Sequence, residues 1–343
     1  MRRVRAAFEL LAPVALVVLV ALFGTTVSSS TQTYVITTLV NVAIVVALYV
    51  FIGNSGVVSF GHISFVAVGA WAAGILSMPA SEKPAIMPSL AGFLRDTTVG
   101  NVQSLALAAA VGMAYALIVG LPLMRLSGLA AGIATFGVLE ITHNVLRYWE
   151  KIGPGLNTFS AVPETTGLLQ ACIGALIAVL VAFLYQWSRY GRMLRATRED
   201  PAAARAVGVS VYGQRLVAFT LSGAIAGLAG GLYAHLLPVN AESFYLDLTF
   251  ITLAMLVIGG ATSLWGAVVG AVAVSAVDSS LAEAENGVRI FGETLDFPSG
   301  TRIVVVGALM AVVLILRPAG LTGGREVPVP RAWVQSVLTK FSA

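Results

Sequence analysis

Of the 343 residues, 58% are hydrophobic and 10% charged, against roughly a quarter charged in soluble domains, and the mean hydropathy is +0.91, which excludes a soluble globular protein. The net charge of +4 and the pI near 9.4 come from bases in loops beside apolar runs, the pattern that orients a chain in a membrane, so nucleic acid is excluded as a partner. A single cysteine, Cys172, excludes an intramolecular disulfide and a cysteine-rich metal site.

Arg2, Arg3 and Arg5 precede the first apolar run, 10–23, which has the layout of a signal peptide. No small-residue cleavage site follows it and a second run, 34–52, begins soon after, so it is read as an uncleaved span. Eight further runs follow at 63–76, 102–123, 126–146, 168–187, 216–236, 247–259, 265–277 and 303–316. They predict an all-α, polytopic membrane protein of about ten spans, forming one transmembrane domain over 1–343. The third, eighth and ninth are short for a hydrocarbon core of about 30 Å, and are expected to extend into Gly-rich flanks or to break part-way.

With the N-terminus in the cytoplasm, fourteen of the twenty bases fall inside, among them Arg125, six in 189–215, and Arg317, Arg325, Arg331 and Lys340. Lys83, Arg95, Arg147, Lys151, Arg289 and Arg302 fall outside. This bias predicts an even number of spans with both termini cytoplasmic, including a tail at 317–343. The outer loops at 78–100, 148–166 and 281–301 are too modest for separate domains.

The first polar interruption is GNSGVVSFGHISFVAVGAW, from Gly53, where Asn54, Ser55, Gly56, Ser59, Gly61 and His62 stand between two apolar runs. Irregular backbone at membrane depth is tolerated where it is buried in protein or lines a water-filled cavity, and broken helices in transporters offer free N–H and C=O groups to a solute. A tight turn at the inner surface fits the same residues, with Gly for the bend and Ser for a cap. Gly128 with Gly132, Gly223 with Gly227, Gly227 with Gly231, and Gly266 with Gly270 are small-residue pairs that predict close helix packing.

Glu140, His143, Asn144 and Arg147 fall at i, i+3, i+4 and i+7, on one stripe of the fifth run. Counted from Leu126, Glu140 lies about 21 Å along at ~1.5 Å per residue, in the outer third, with Thr135 deeper. Ionisable groups in a span face a bundle interior or an aqueous path, or else snorkel to the surface.

Residues 189–215, RYGRMLRATREDPAAARAVGVSVYGQR, are the one long charge-rich interruption. Asp200 and Pro201 are helix-start residues, and Gly208 is a left-handed stop, so 201–207 reads as a helix of about two turns. Ala203, Ala204 and Val207 share one face, a small apolar knob that suits docking into a groove or resting at the lipid interface. Later, GGATSLWGAVVGA, between Gly259 and Ala271, echoes the first break and predicts a second interrupted region around Gly259 to Gly266.

No lysine follows a glycine, so there is no phosphate-binding loop of the G-x-x-x-x-G-K-[ST] type. His62, His143 and His235 are far apart and form no metal-ligand or catalytic spacing, which argues against an enzyme and against a bound metal. A stand-alone secondary carrier would need coupling groups near the midplane, and a scaffold has no use for the Gly/Ser break.

GNSGVVSFGHISFVAVGAW, MRLSGLAAGIATFGVLEI, the run from Arg189 to Phe244 and VIGGATSLWGAVVGA occur in one order between Asn41 and Gly270. Together they closely resemble the permease subunits of bacterial branched-chain amino acid ABC transporters. Related permeases for urea and short amides share these patterns and leave the substrate open. The resemblance implies an inner-membrane protein with two separate ATP-binding subunits, which hold ATP-Mg. It further implies a second, usually non-identical permease subunit, an extracytoplasmic solute-binding protein, and no cofactor on this chain. It also implies that 189–215 is the coupling loop, with a pattern that Arg195, Arg198, Asp200, Ala203, Ala204 and Gly208 match and that encloses Glu199 and Val207.

Overall fold

The computed structural model describes residues 2–285, 288–290, 293–295 and 300–327. Helices α1 (Arg2–Gly24) and α2 (Ser29–Leu48) are followed by α3 (His62–Ser77), two single turns α4 (Lys83–Ile86) and α5 (Gly92–Arg95), then α6 (Asn101–Leu123), α7 (Gly128–Tyr148) and α8 (Leu168–Trp187). The charged loop forms α9 (Arg189–Glu199) and α10 (Pro201–Ala206), before α11 (Val211–Ala234), α12 (Leu246–Gly259), α13 (Leu264–Glu285) and α14 (Thr301–Leu316). Between α13 and α14, β1 (Val288–Ile290) and β2 (Glu293–Leu295) pair antiparallel. Among the described residues eight helices are long and apolar enough to cross a bilayer, and α3 and α14 are shorter apolar helices, which together account for the ten predicted spans. The tail from Arg331 to Ala343 lies outside the described residues.

The bundle is built around α2, which is apolar on every side and so has no lipid face to keep. Every residue from Thr38 to Ser55 is buried. Its Asn41 donates to Ser275 Oγ of α13 at 3.2 Å, a buried bond joining the two halves of the chain. By contrast few residues of α1 are fully buried, and it packs against α8, where Glu9 accepts from Trp187 Nε1 at 3.0 Å.

Small residues set the closest packing, that of α11 on α3 and α6. A methyl on Gly227 would strike the carbonyl of Ala108, and one on Gly69 would strike Gly227 in turn. The predicted pairs at Gly223, Gly227 and Gly231 lie in this contact, and Gly266 and Gly270 pack on Gly259 and Gly260. The pair on α7 departs from expectation. Gly128 meets nothing within 4 Å and has φ +58°, so it serves the turn into α7, while Gly132 lies against Val58 and Phe60.

Candidate functional site

The chain leaves α2 through a single π-helical turn, Tyr49–Gly53. Such a turn displaces carbonyls from their usual partners, and Asn54 Nδ2 meets two of them, Val50 O at 3.1 Å and Tyr49 O at 3.4 Å. After Ser55, whose Oγ accepts from Val57 N, the backbone from Gly56 to Gly61 is irregular. It runs inward. His62, the first residue of α3, bonds through Nδ1 to Ser59 Oγ at 2.7 Å and through Nε2 to Ser222 Oγ at 3.0 Å. Ser222 lies about 16 Å into α11 at ~1.5 Å per residue, so the break ends near the middle of α11, and α3, with 16 residues, is a shortened span. Thr135 Oγ1 of α7 accepts from Phe60 N at 3.1 Å, and Gly61 has no room for a methyl beside the Thr135 carbonyl. Ser59, His62 and Thr135 are buried, whereas Gly56 and Val58 of the same stretch are exposed.

The α7 stripe lies farther along. Glu140 accepts from Tyr245 Oη at 2.5 Å and from Asn144 Nδ2 at 2.8 Å, Arg147 pairs with Glu242, and His143 stacks on the Tyr245 ring at 3.9 Å between centroids. His143 Nε2 lies 3.6 Å from Glu242, and its Nδ1 has no hydrogen-bond partner among the described residues. Sequence reasoning missed Glu242 and Tyr245, which enter through the short turn ahead of α12. Its one local signal was Asn240, whose side chain caps that turn by accepting from Ser243 N at 3.0 Å. Beside the stripe, α3, α6 and α7 border an open apolar cleft of about 460 Å³ lined by Trp71, Ile75, Tyr115, Ile141 and Val145. The stripe on α7 and the break, which meets α7 at Thr135, are two separate polar groups with no direct bond between them among the described residues.

At the opposite end, α10 forms as the residues require. Asp200 accepts from Ala202 N at 2.8 Å and Ala203 N at 3.0 Å, and these N–H groups, Ala203 first, hold its carboxyl below the usual carboxylate range. Gly208 closes the helix with φ +82°. Two expectations change. The helix ends at Ala206 with Val207 as its C-cap, and the predicted shared face is divided. Ala204 is 5% exposed against the bundle while Val207 is 79% exposed, so the outward surface is Ala202, Ala203, Ala206 and Val207. Glu199 is exposed, whereas Arg195 and Arg198 turn inward, Arg195 to Gln186 O and Arg198 to Gly53 O, each at 2.6 Å.

The second Gly-rich region, between α12 and α13, is covered by the first part of the tail. Leu321 N donates to Ile258 O at 2.8 Å and Thr322 Oγ1 to Gly259 O at 2.8 Å. Glu326 accepts from Leu264 N at 2.8 Å and Trp265 N at 3.1 Å, taking the free donors of α13. Burial pushes the Glu326 carboxyl up, against the opposing pull of those two N–H groups.

The profile described as "Branched-chain amino acid transport system / permease component" matches residues 30–314. The high-affinity branched-chain amino acid transport system permease protein LivM of Escherichia coli (strain K12) is 27% identical over 343 residues, covering 90% of this chain and 73% of the relative. The autoinducer 2 import system permease protein LsrC of Shigella flexneri is 30% identical over 221 residues, 54% of this chain and 63% of the relative. The probable branched-chain amino acid transport permease protein LivH of Methanocaldococcus jannaschii is 30% identical over 154 residues, 43% of this chain and 45% of the relative. No solved structure matches the chain. A match over most of the chain, on a bundle of membrane-spanning helices with two interrupted regions, makes this protein a transport component and not an enzyme: it belongs to the branched-chain amino acid transport permease family.

Proposed function

We propose that the chain is the permease subunit of an ATP-driven importer for branched-chain or other small amino acids, in a bacterial inner membrane with both termini and the α9–α10 loop cytoplasmic. Two separate ATP-binding subunits, which hold ATP-Mg, serve the complex, and one docks on the Ala202, Ala203, Ala206 and Val207 surface of α10. A second, non-identical permease subunit completes the path, and an extracytoplasmic binding protein delivers the solute. The observation that carries this reading is α10 itself, a short helix capped at both ends with small apolar side chains turned away from the bundle. A smooth apolar knob beside exposed arginines at 192 and 205 suits a groove on a soluble partner.

The path runs along α7. Glu140 and Arg147 guide a zwitterion at the outer mouth, with His143 and Asn144 between them, and the adjoining apolar cleft takes a branched side chain. Asn54, Ser55, Gly56, Ser59, Gly61, His62 and Thr135 line the path beneath, a reading supported by the polar side chains of Ser59 and His62 inside the bundle. Uptake of labelled leucine, urea and acetamide after deletion of the gene tests the reading. Loss of leucine uptake is expected. Loss of urea or acetamide uptake alone moves the substrate to the amide class, and the similarity to LsrC keeps a non-amino-acid solute in view.

A further inference from the structure

Arg195 and Arg198 lie three residues apart, one above the other on α9, and both reach into the bundle. Arg198 Nη1 donates to Gly53 O at 2.6 Å, and its stem lies over Gly56, whose φ of +71° suits a residue without a side chain. Arg195 Nη2 donates to Gln186 O at 2.6 Å, and Gln186 Oε1 accepts from Tyr49 Oη at 2.6 Å. Tyr49 and Gly53 are the first and last residues of the π-helical turn, so α9 holds its last residue directly through Arg198 and reaches its first only through Gln186 at the end of α8. Leu194 and Thr197, both buried, pack on the same side of α9. Gly53 in addition abuts the Ala261 carbonyl, so the two Gly-rich regions meet close to Arg198.

The other end of α9 has no slack. Asp200 is at once its C-cap and the N-cap of α10, accepting from Ala204 N at 3.0 Å and donating its own N–H to Ala196 O at 3.2 Å. A displacement of α10 must therefore move α9. A π turn holds one residue more than an α turn, and returning it to α form draws the next stretch of chain by about 1.5 Å. In this protein that stretch is the break, which carries Ser59 and His62.

We infer that α9 is a lever joining α10 to the interrupted span, with Arg198 and Arg195 as positioning residues that act on the π-helical turn and not on the partner. This rests on the proposed docking of an ATP-binding subunit at α10. It gives the two loop arginines a role opposite to the outward one their place in a charged loop suggests.

The test uses the complete complex, purified from its native membrane and placed in lipid vesicles. Solute imported per ATP hydrolysed is measured with labelled leucine, urea and acetamide. Arg198→Gln removes a hydrogen bond from a charged donor, and the ratio is expected to fall about tenfold to a hundredfold. Arg198→Lys keeps a cation that can donate to the Gly53 carbonyl and is expected to restore most of it. A second readout is a cysteine at Val58, which is half-exposed in the break, in a Cys172→Ser background. Its labelling rate is expected to differ with and without ATP, and to lose that difference in Arg198→Gln. An unchanged ratio with unchanged labelling in Arg198→Gln overturns the linkage while leaving the permease reading intact. If Arg198→Gln does not assemble, labelling of Val58→Cys with Arg198 present decides, and equal rates with and without ATP overturn the proposal. An unsubstituted complex that contains no ATPase and imports none of the three solutes overturns the function, and the lever with it.

Discussion

Gly61 lies so close to α7 that an added methyl would strike the carbonyl of Thr135. Gly61→Ala therefore forces the break away from α7, and a loss of about 1–3 kcal/mol is expected, as for other overpacked sites, read as a lower thermal midpoint of the purified protein. Gly137→Ala is the control: nothing lies within 4 Å of that position, and alanine is the better helix former, so the midpoint should hold or rise. Asp200 gives a pH prediction of defined sign. Its carboxyl is held below the ordinary value of about 3.9, so the cap is fully present above that pH and is lost as pH falls through the lower, folded value. Asp200→Asn should keep the cap across this range and Asp200→Ala should lack it throughout, a difference that proteolysis of the α9–α10 loop would report.

At the scale of elements, α10 has two sides that the sequence does not distinguish. Ala203→Glu places a carboxylate on the exposed surface, where it should block docking, leaving a folded, membrane-inserted protein that no longer co-purifies with an ATPase. Ala204→Glu places the same charge against the bundle, where an unpaired carboxylate is costly, and should lower yield and stability before docking is reached. Equal co-purification of native and Ala203→Glu protein would remove α10 from the interface. The break was legible as an element, since Gly, Ser and Asn together between two apolar runs have no place in a lipid-facing helix. Its depth was not legible, because that depends on which residues of α7 and α11 it meets.

For the whole molecule the main prediction is sidedness. In a Cys172→Ser background, Ser210→Cys should react with an impermeant thiol reagent only from the cytoplasm, and Ser160→Cys only from outside. Both positions are exposed and lie beyond the spans. Labelling of both from one side would contradict the ten-span arrangement. Glu9, the end of α2, α9 and Glu326 lie at one end of the bundle.

The sequence by itself determined where the spans lie, where the break falls, that α10 begins at Asp200 and ends near Gly208, and which family the chain joins. Each of these depends on hydropathy over about twenty residues or on capping within one turn, and such information is local. Tertiary structure alone decided the direction of side chains and the partners of charges. Arg147 meets Glu242 and Glu140 meets Tyr245 across 95 and 105 residues, and Glu326 caps α13 from 62 residues away. Arg195 and Arg198 read as outward charges until α9 is laid on the bundle, where their guanidinium groups find carbonyls that a π-helical turn and a helix end leave free. Pairings at such separations leave no periodicity in the chain, because they are set by which helix faces come together and not by the residues beside them.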